Sequence, residues 1–537
     1  FGGTFTFSGG QAPVLDANNQ PVLGETAQIS SLESYRRTLL FQQLGYPMAQ
    51  IRLLGSGPSQ FSISGGNPTA AVNQTDIGLF IGDDWRARKN LTLSYGLRYE
   101  TQTNIHDWRD WAPRFGLAWA PSSRKSARSL TVIRAGFGIF YDRFSEGLVL
   151  ESLRFNGVLQ QQFLVPDPSF YPNIPSAATL EGQRVPSTIH TLDSGLRAPY
   201  VMQSAVGIER QLPFHTTVAV NYTNSHGLHE LLSRNINAAL PGAAVLPFGD
   251  AGSIYQYESA GLYNQNQVIF NVNSRINSKI SVFGGYVLNR ANSNTDGPGT
   301  FPANQYNLAG EYGRSSLDRQ NRLFMSGSFI TRWNVRLSPF IIANSGSPFN
   351  ITTGRYDTGD SLYTDRPAFA TDLTKPGVVV TRFGAFDTLP TAGETIIPRN
   401  YGNGPAYVSI NMRVSKTFGF GPSRESAAMN PALAGGDSHQ RSGFGGGGYG
   451  GSRGGGGGGG HERHGGGGGG GGDATTNKRF NLIVSVQARN LFNHDNLGPY
   501  IGNLTSPLFG QANSLAGGFR DSSANNRRLE LSLRLSF

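Results

Sequence analysis

The chain closes on residues 527–537, RRLELSLRLSF. Successive side chains of an extended strand point to opposite faces. Leu529, Leu531, Leu533, Leu535 and Phe537 therefore share one face, and Glu530, Ser532, Arg534 and Ser536 the other. A strand with an apolar face for lipid and a polar face for a wet lumen is the unit of a transmembrane β-barrel. The same alternation suits a strand that closes a soluble sandwich, so the rest of the chain has to decide.

Its 537 residues are 38% hydrophobic and only 15% charged, with 72 glycines and no cysteine. The charged fraction lies well below the roughly 25% of soluble domains. No apolar run approaches the ~18 residues of a membrane-crossing helix. Strands are then the way across a bilayer, because backbone exposed to lipid has to be hydrogen-bonded internally. Aromatic content of 11%, with 33 Phe and 20 Tyr, suits girdles at two membrane interfaces. Absence of cysteine excludes a disulfide framework and thiolate metal sites. The net charge of +10 is scattered along the strands rather than clustered on one face, which argues against nucleic acid as a partner.

Alternation predicts strands near 1–8, 74–86, 90–102, 111–120, 129–141, 199–211, 215–224, 263–275, 279–290, 320–331, 334–344, 406–418, 479–490 and 526–537, fourteen in all. Leu91, Leu93, Tyr95, Leu97 and Tyr99 against Thr92, Ser94, Arg98 and Glu100 is the clearest case. Two are irregular: Gln203 and Glu209 share a face, and Pro339 interrupts 334–344. Tight connections at 87–89, 212–215, 276–279 and 332–334 alternate with long segments near 9–73, 142–198, 225–262, 291–319, 345–405 and 491–525. Barrels built from hairpins sort their connections in this way, short turns on the periplasmic side and long loops outside. The expected fold is an all-β transmembrane antiparallel barrel. It divides into wall strands and loops over 1–418, a glycine-rich periplasmic insertion over 419–478, and a closing hairpin over 479–537. The near-pure glycine of the insertion cannot bury a core and reads as flexible coil.

Motifs that carry chemistry are weak. His461 and His464 of HERH sit in glycine, where nothing orients a metal-binding imidazole. YDTGD at 356–360, followed by Asp365, gathers oxygen ligands of the kind calcium takes, but the spacing is not that of an EF-hand and turn chemistry accounts for the same residues. Asp83 and Asp84 are strand neighbours and so face opposite ways. Nine histidines lie scattered, without a nucleophile–base–acid arrangement, so neither enzyme activity nor a cofactor is expected. Trp85, Trp108, Trp111, Trp119, Trp333 and Phe537 are expected at the membrane interfaces.

Several segments resemble the C-terminal barrel of the Oar-like group of TonB-dependent outer-membrane receptors: DDWRARKNLTLSYGLRYE (83–100), APRFGLAWAP (112–121), TVIRAGFGIFYDR (131–143), YNQNQVIFNVNSR (263–275), SLDRQNRLFMSGSF (316–329), NSGSPFNITTG (344–354) and VQARNLFNHDNLG (486–498), with LTSPLFGQ (504–511) and the terminal strand. The resemblance implies a barrel of about twenty-two strands around an N-terminal plug, and uptake powered by TonB through that plug. The chain starts in the strand-like FGGTFTFSGG, and no plug or TonB box is recognisable, so it is read as a fragment of such a receptor. Outer-membrane lipid, lipopolysaccharide and, through the terminal strand, the barrel-assembly machinery are the expected partners, with TonB reached only through the plug. An unidentified extracellular ligand is expected on the long loops, with Asp142, Arg143, Tyr171, Tyr255, Tyr257, Tyr356, Asp357 and Asp360 as candidate contacts. A passive porin-like channel and a surface adhesin are the alternatives.

Overall fold

In a computed structural model the chain is described except at residues 1, 68, 122–129, 183–185, 241–244, 356–359, 361, 392, 424–475 and 517–525. One 15-stranded sheet dominates. Two of its strands are short and lie off the main path, which leaves a meander of thirteen in which every strand pairs antiparallel with its neighbours in sequence. These are β1 (Asp76–Arg88), β2 (Leu91–Gln102), β3 (Asp110–Trp119), β4 (Thr131–Tyr141), β5 (Tyr200–Leu212), β6 (Thr216–Asn235), β7 (Ile254–Ser274), β8 (Ile280–Ser293), β9 (Asn321–Ile330), β10 (Val335–Asn344), β11 (Tyr407–Ser423), β12 (Lys478–Arg489) and β13 (Arg528–Ser536). Among the described residues, β1 and β13 are the free edges of this wall.

Registers carry the sequence alternation from strand to strand. Ile81 stands opposite Leu97, Tyr95 opposite Phe115, Val220 opposite Phe270, Val414 opposite Val486, and Leu533 opposite Val484. The result is one continuous apolar outer face. Phe115, Ile208, Phe329 and Leu531 on it are 60%, 51%, 45% and 69% exposed, an arrangement that water would penalise and acyl chains accept. The opposite face carries mostly small or polar side chains: Ser409, Ser415, Asn481 and Ser485 are buried there. Asp83 accepts from the Tyr95 hydroxyl on the outer side, and Asp84 from the Ser94 hydroxyl on the inner side, so the two carboxylates do separate. Pro339 is accommodated inside β10. Its partnership with Met412 of β11 is kept, while the ladder to β9 skips the Gly327–Ser328 stretch, where the missing N–H would have been needed.

Three expectations need correction. The predicted strand at 1–8 is not in the wall: Thr4–Thr6 pairs with Gln60–Gly66, which pairs in turn with Gln160–Pro166. Phe5 and Phe7 alternate because they enter an aromatic cluster with Phe61, Phe170, Tyr171 and Tyr35, not because they meet lipid. Among the described residues the wall therefore holds thirteen strands, not fourteen. Next, β6 and β7 continue far past 224 and begin far before 263, so most of the supposed loop 225–262 is a hairpin that projects beyond the wall, with register shifts between Leu228 and Leu232. Finally, β11 runs on to Ser423, five residues into the range assigned to the glycine insertion, whose glycine core lies outside the described residues.

Tight turns at 89–90, 213–215, 275–279 and 331–334 gather at one end of the wall, where the 120–130 and 424–477 connections also leave it, and the long connections 142–199, 236–253, 294–320, 345–406 and 490–527 gather at the other. The long connections fold on one another. Helix α1 (Ser31–Gln43) is capped by Ser30, whose hydroxyl accepts from the Glu33 N–H, and packs on α2 (Met48–Leu53) around Phe41, Ile51 and Leu54. Phe349, Ile351, Phe386, Ile397 and Leu504, drawn from two different loops, form a second core. Each such buried side chain contributes about 1.5–3 kcal/mol, and short strand pairs within the same loop, Pro348–Phe349 with Gly402–Asn403 and Val378–Thr381 with Gly384–Asp387, add to its order. Among the described residues no helix is long and apolar enough to cross a membrane.

Candidate functional site

The loop layer over the long-connection end is the candidate recognition surface. Ion pairs that tie different loops together organise it. Arg366 donates from Nη1 and Nη2 to both carboxylate oxygens of Glu311, each at 2.9 Å, and both side chains are buried. Arg399 donates to Asp296 at 2.5 Å; within the β6–β7 hairpin Arg234 donates from Nε and Nη2 to Glu258 at 2.8 and 2.6 Å, and its Nη1 reaches the Gln305 carbonyl of the next loop at 3.0 Å. The planar guanidinium fork favours such bidentate pairs, which fix geometry as well as charge. Arg382 donates to the Gly510 carbonyl, and the Ser31 N–H to the Thr505 carbonyl at 2.9 Å, so the N-terminal segment and the last long loop join the same layer.

The candidate contacts divide sharply. Asp142 and Arg143 come together at the wall rim in a small open cleft, also lined by Asp76, Arg98, Glu100 and Asp110. Arg143 reaches Asp76 at 3.5 Å with its side chain 70% exposed, and burial pushes the Asp142 carboxyl up from its ordinary value. Tyr171 lies elsewhere, half-buried against Phe5 and Phe7 with ring centroids 4.9 and 5.5 Å apart, and burial raises its hydroxyl pKa. Tyr255 and Tyr257 are 6% and 5% exposed. Tyr255 packs edge-on against Phe301 and His190, and the Tyr257 hydroxyl lies 3.5 Å from His190 Nδ1. His190 Nε2 is 3.0 Å from Gln162 Oε1, and burial pulls the imidazole pKa down. Asp360 is 1% exposed; its oxygens accept from Gln305 Nε2 and the Leu362 N–H, each at 2.9 Å. These last three residues face inward, into the loop framework, rather than toward solvent. Tyr356 and Asp357 lie outside the described residues.

Sequence reasoning missed the loop-tying pairs, because Glu311 and Arg366 are 55 residues apart and neither stands in a pattern. It also missed three phenylalanines on the inner face of the wall, Phe283, Phe324 and Phe340, although apolar residues on both faces of 320–331 and 334–344 were a visible signal.

The six interface candidates fall into two sets. Trp85, Trp119, Trp333 and Phe537 stand at the tight-turn end, 55%, 42%, 63% and 83% exposed, and Trp108 and Trp111 at the loop end, 63% and 53% exposed. Trp111 packs on Tyr99 at 4.7 Å, and Arg332 stacks over Trp333 at 4.5 Å. From Trp111 to Trp119 along β3 is roughly 27 Å at ~3.4 Å per residue; a tilt of ~40° reduces this to about 21 Å, close to the ~25 Å apolar band of outer-membrane barrels.

The family described as outer membrane beta barrel domain matches residues 3–108 and 103–428. No curated protein sequence matches the chain. Among solved structures, the outer membrane transporter YddB from Escherichia coli aligns with a TM-score of 0.47 at 11% identity, over 89% of this chain and 47% of its own. A variant of the ferric enterobactin receptor PfeA from Pseudomonas aeruginosa aligns with a TM-score of 0.42 at 10% identity, over 89% and 50%. The FrpB iron transporter from Neisseria meningitidis aligns with a TM-score of 0.39 at 11% identity, over 86% and 45%. The chain thus spans about half the length of these proteins.

Proposed function

The chain belongs to the outer membrane beta barrel domain family, and on that premise we propose that it is the barrel portion of a TonB-dependent receptor of the Oar-like group, in the outer membrane of a Gram-negative cell. The tight-turn end faces the periplasm and the loop layer faces outward. A plug supplied by another part of the protein fills the lumen and couples it to TonB; the proton-motive force supplies the work, and no bond-making chemistry is asked of the chain. Trp85, Trp119, Trp333 and Phe537 anchor the inner interface, and Trp108 and Trp111 the outer one, against lipid and lipopolysaccharide. The terminal strand β13 is presented to the barrel-assembly machinery. The connection over 424–477, between β11 and the closing hairpin of β12 and β13, is a periplasmic insertion.

The observation that carries this reading is the consolidation of the long connections into one ion-paired layer at a single end of a lipid-facing wall. Rigid scaffolds that carry recognition on loops are built in this way. Asp142, Arg143 and Tyr171 are the ligand contacts the layer offers, joined by Tyr356 and Asp357, while Tyr255, Tyr257 and Asp360 hold the loops in place. Planar-bilayer recording on the full-length protein tests the proposal. The intact receptor is expected to be electrically silent and to open large steady pores once the plug is deleted. Steady pores from the intact protein would instead favour a passive channel, and silence after plug deletion an adhesin.

A further inference from the structure

The outer face of the wall stays apolar until its loop end, where β6–β9 depart from the pattern. Asn224, Asn264, Asn266 and Asn321 stand on that face, eight to ten residues from the turn ends of their strands. Hydrogen bonds hold them in place. Asn266 Oδ1 accepts from the Tyr222 hydroxyl at 2.7 Å and from Asn224 Nδ2 at 3.0 Å, and its Nδ2 donates to Asn264 Oδ1 at 3.1 Å. The Tyr286 hydroxyl donates to Asn321 Oδ1 at 2.6 Å. Arg290 stands directly opposite Asn266 in the β7–β8 ladder, on the same face. It is exposed, and among the described residues its guanidinium enters no hydrogen bond or ion pair. Ten residues of β8 at ~3.4 Å each and a tilt of ~40° put it about 26 Å from the turn end, just beyond the ~25 Å apolar band. Leu288 is the last apolar residue on this face of β8. The Asn289 N–H donates to the Gln320 carbonyl at 2.9 Å, so the ladder runs on past Asn321 and brings the exposed Arg319 alongside Arg290. Arg319 Nε donates to the Ser347 hydroxyl at 2.6 Å. Neither β8, β9 nor β10 contains an Asp or Glu. The neighbouring Asp318 is 3% exposed, and its oxygens accept from the Ala291 N–H and from Arg314 Nε at 2.9 and 2.8 Å. Elsewhere the loop end of the outer face is aromatic, with Tyr99, Trp111 and Tyr141, or aliphatic, with Ala343 and Val408.

We infer that this outer-face patch on β6–β9 binds the phosphorylated sugar headgroup of an outer-leaflet glycolipid. The phosphate accepts from Arg290 and Arg319, whose guanidinium forks match phosphate oxygens. The sugar hydroxyls exchange hydrogen bonds with the carboxamides, each of which both donates and accepts. The acyl chains continue down the wall over Val268, Phe270, Leu288 and Leu323. An arginine on the lipid face is tolerated only near an interface, and a cation at that depth with no carboxylate beside it complements an anionic headgroup. A phospholipid offers the phosphate but few hydroxyls, and an ethanolamine headgroup brings an ammonium against two arginines; the glycolipid matches both halves of the patch. The inference rests on the outward orientation of the loop layer, and it is independent of what fills the lumen and of whether uptake is energised.

The test uses the full-length protein in detergent, titrated with bisphosphorylated lipid A and read by native mass spectrometry. A tight adduct is expected, with phosphatidylglycerol and dephosphorylated lipid A each at least about tenfold weaker. Arg290→Gln and Asn266→Leu are each expected to weaken lipid A by about tenfold or more, and Arg290→Lys to keep part of the affinity. Lys416→Gln, which removes an outer-face cation at the turn end, is expected to change nothing. Equal affinity for lipid A and phosphatidylglycerol would overturn the site, as would unchanged affinity in both Arg290→Gln and Asn266→Leu, or an equal loss in Lys416→Gln. Should Asn266→Leu fail to assemble, the two Arg290 variants decide. Orientation is read separately, because the chain has no cysteine of its own. Asp250→Cys, in an exposed part of the loop layer, is expected to react with a membrane-impermeant maleimide on intact cells, where the wild type does not. Labelling without lipid A selectivity removes the site and leaves the receptor reading standing; absence of labelling removes the outward orientation on which the site rests.

Discussion

Glu311 and Arg366 illustrate what a single side chain does in the loop layer. Both are buried and satisfy each other through two parallel hydrogen bonds. Glu311→Gln leaves a guanidinium charged and unpaired in a dry site, which costs about 3–5 kcal/mol; loss of hydrogen-exchange protection over 293–320 and 362–405, with the wall unchanged, is the expected readout. Gly285→Ala drives a methyl group into the Phe324 ring and is expected to cost about 1–3 kcal/mol by overpacking, measured as a lower urea midpoint in detergent. The opposite facing of Asp83 and Asp84 was readable from the sequence because it follows from strand geometry alone. The burial of Tyr255, Tyr257 and Asp360 was not. Aromatic and acidic residues in a loop look like ligand contacts until the partners His190, Phe301 and Gln305, 50 or more residues away for Tyr257 and Asp360, are brought against them.

At the scale of the element, the wall strands were legible because lipid imposes a period of two that few other environments enforce. Phe115→Arg, halfway between Trp111 and Trp119 on the outer face of β3, is expected to destabilise the barrel by about 2–4 kcal/mol, whereas Ser94→Arg, on the inner face beside Asp84, is expected to be near neutral; the two unfolding midpoints in the same detergent check this. Strand extent was less legible. Beyond Asn224 the β6–β7 hairpin is covered by loops on both sides, so GLHELLSRN carries no alternation to read. Helix α1 also escaped prediction, its signals being local caps inside a long connection. Its Ser30 cap is worth about 1 kcal/mol, so Ser30→Ala should increase fraying of the first turn in hydrogen exchange. Arg36, hydrogen-bonded to Glu33, lowers that carboxyl from 4.5 to about 2. A depressed carboxylate stabilises the fold fully above its unfolded value and loses that contribution as pH falls toward the folded one. Protection of α1 is therefore expected to decline between about pH 4.5 and pH 2, and Glu33→Gln to remove the pH dependence.

At the scale of the molecule, the loops behave as one body. Leu504 belongs to a core whose other members, Phe349, Ile351, Phe386 and Ile397, come from a different loop, and the adjacent Thr505 carbonyl holds the Ser31 N–H. Leu504→Ala is expected to cost about 2–5 kcal/mol and to loosen residues 31–43, more than 450 positions away in sequence, in a hydrogen-exchange map. The wall itself carries an arithmetic constraint. Because its thirteen strands alternate in direction, the two free edges, β1 and β13, run the same way, each from the loop end toward the tight turns. Were they to meet directly, the seam would be the sole parallel pairing in an otherwise antiparallel wall. A seam that keeps every neighbour antiparallel admits only an odd number of intervening strands, so the parity of whatever completes the circumference is already determined by the thirteen in place.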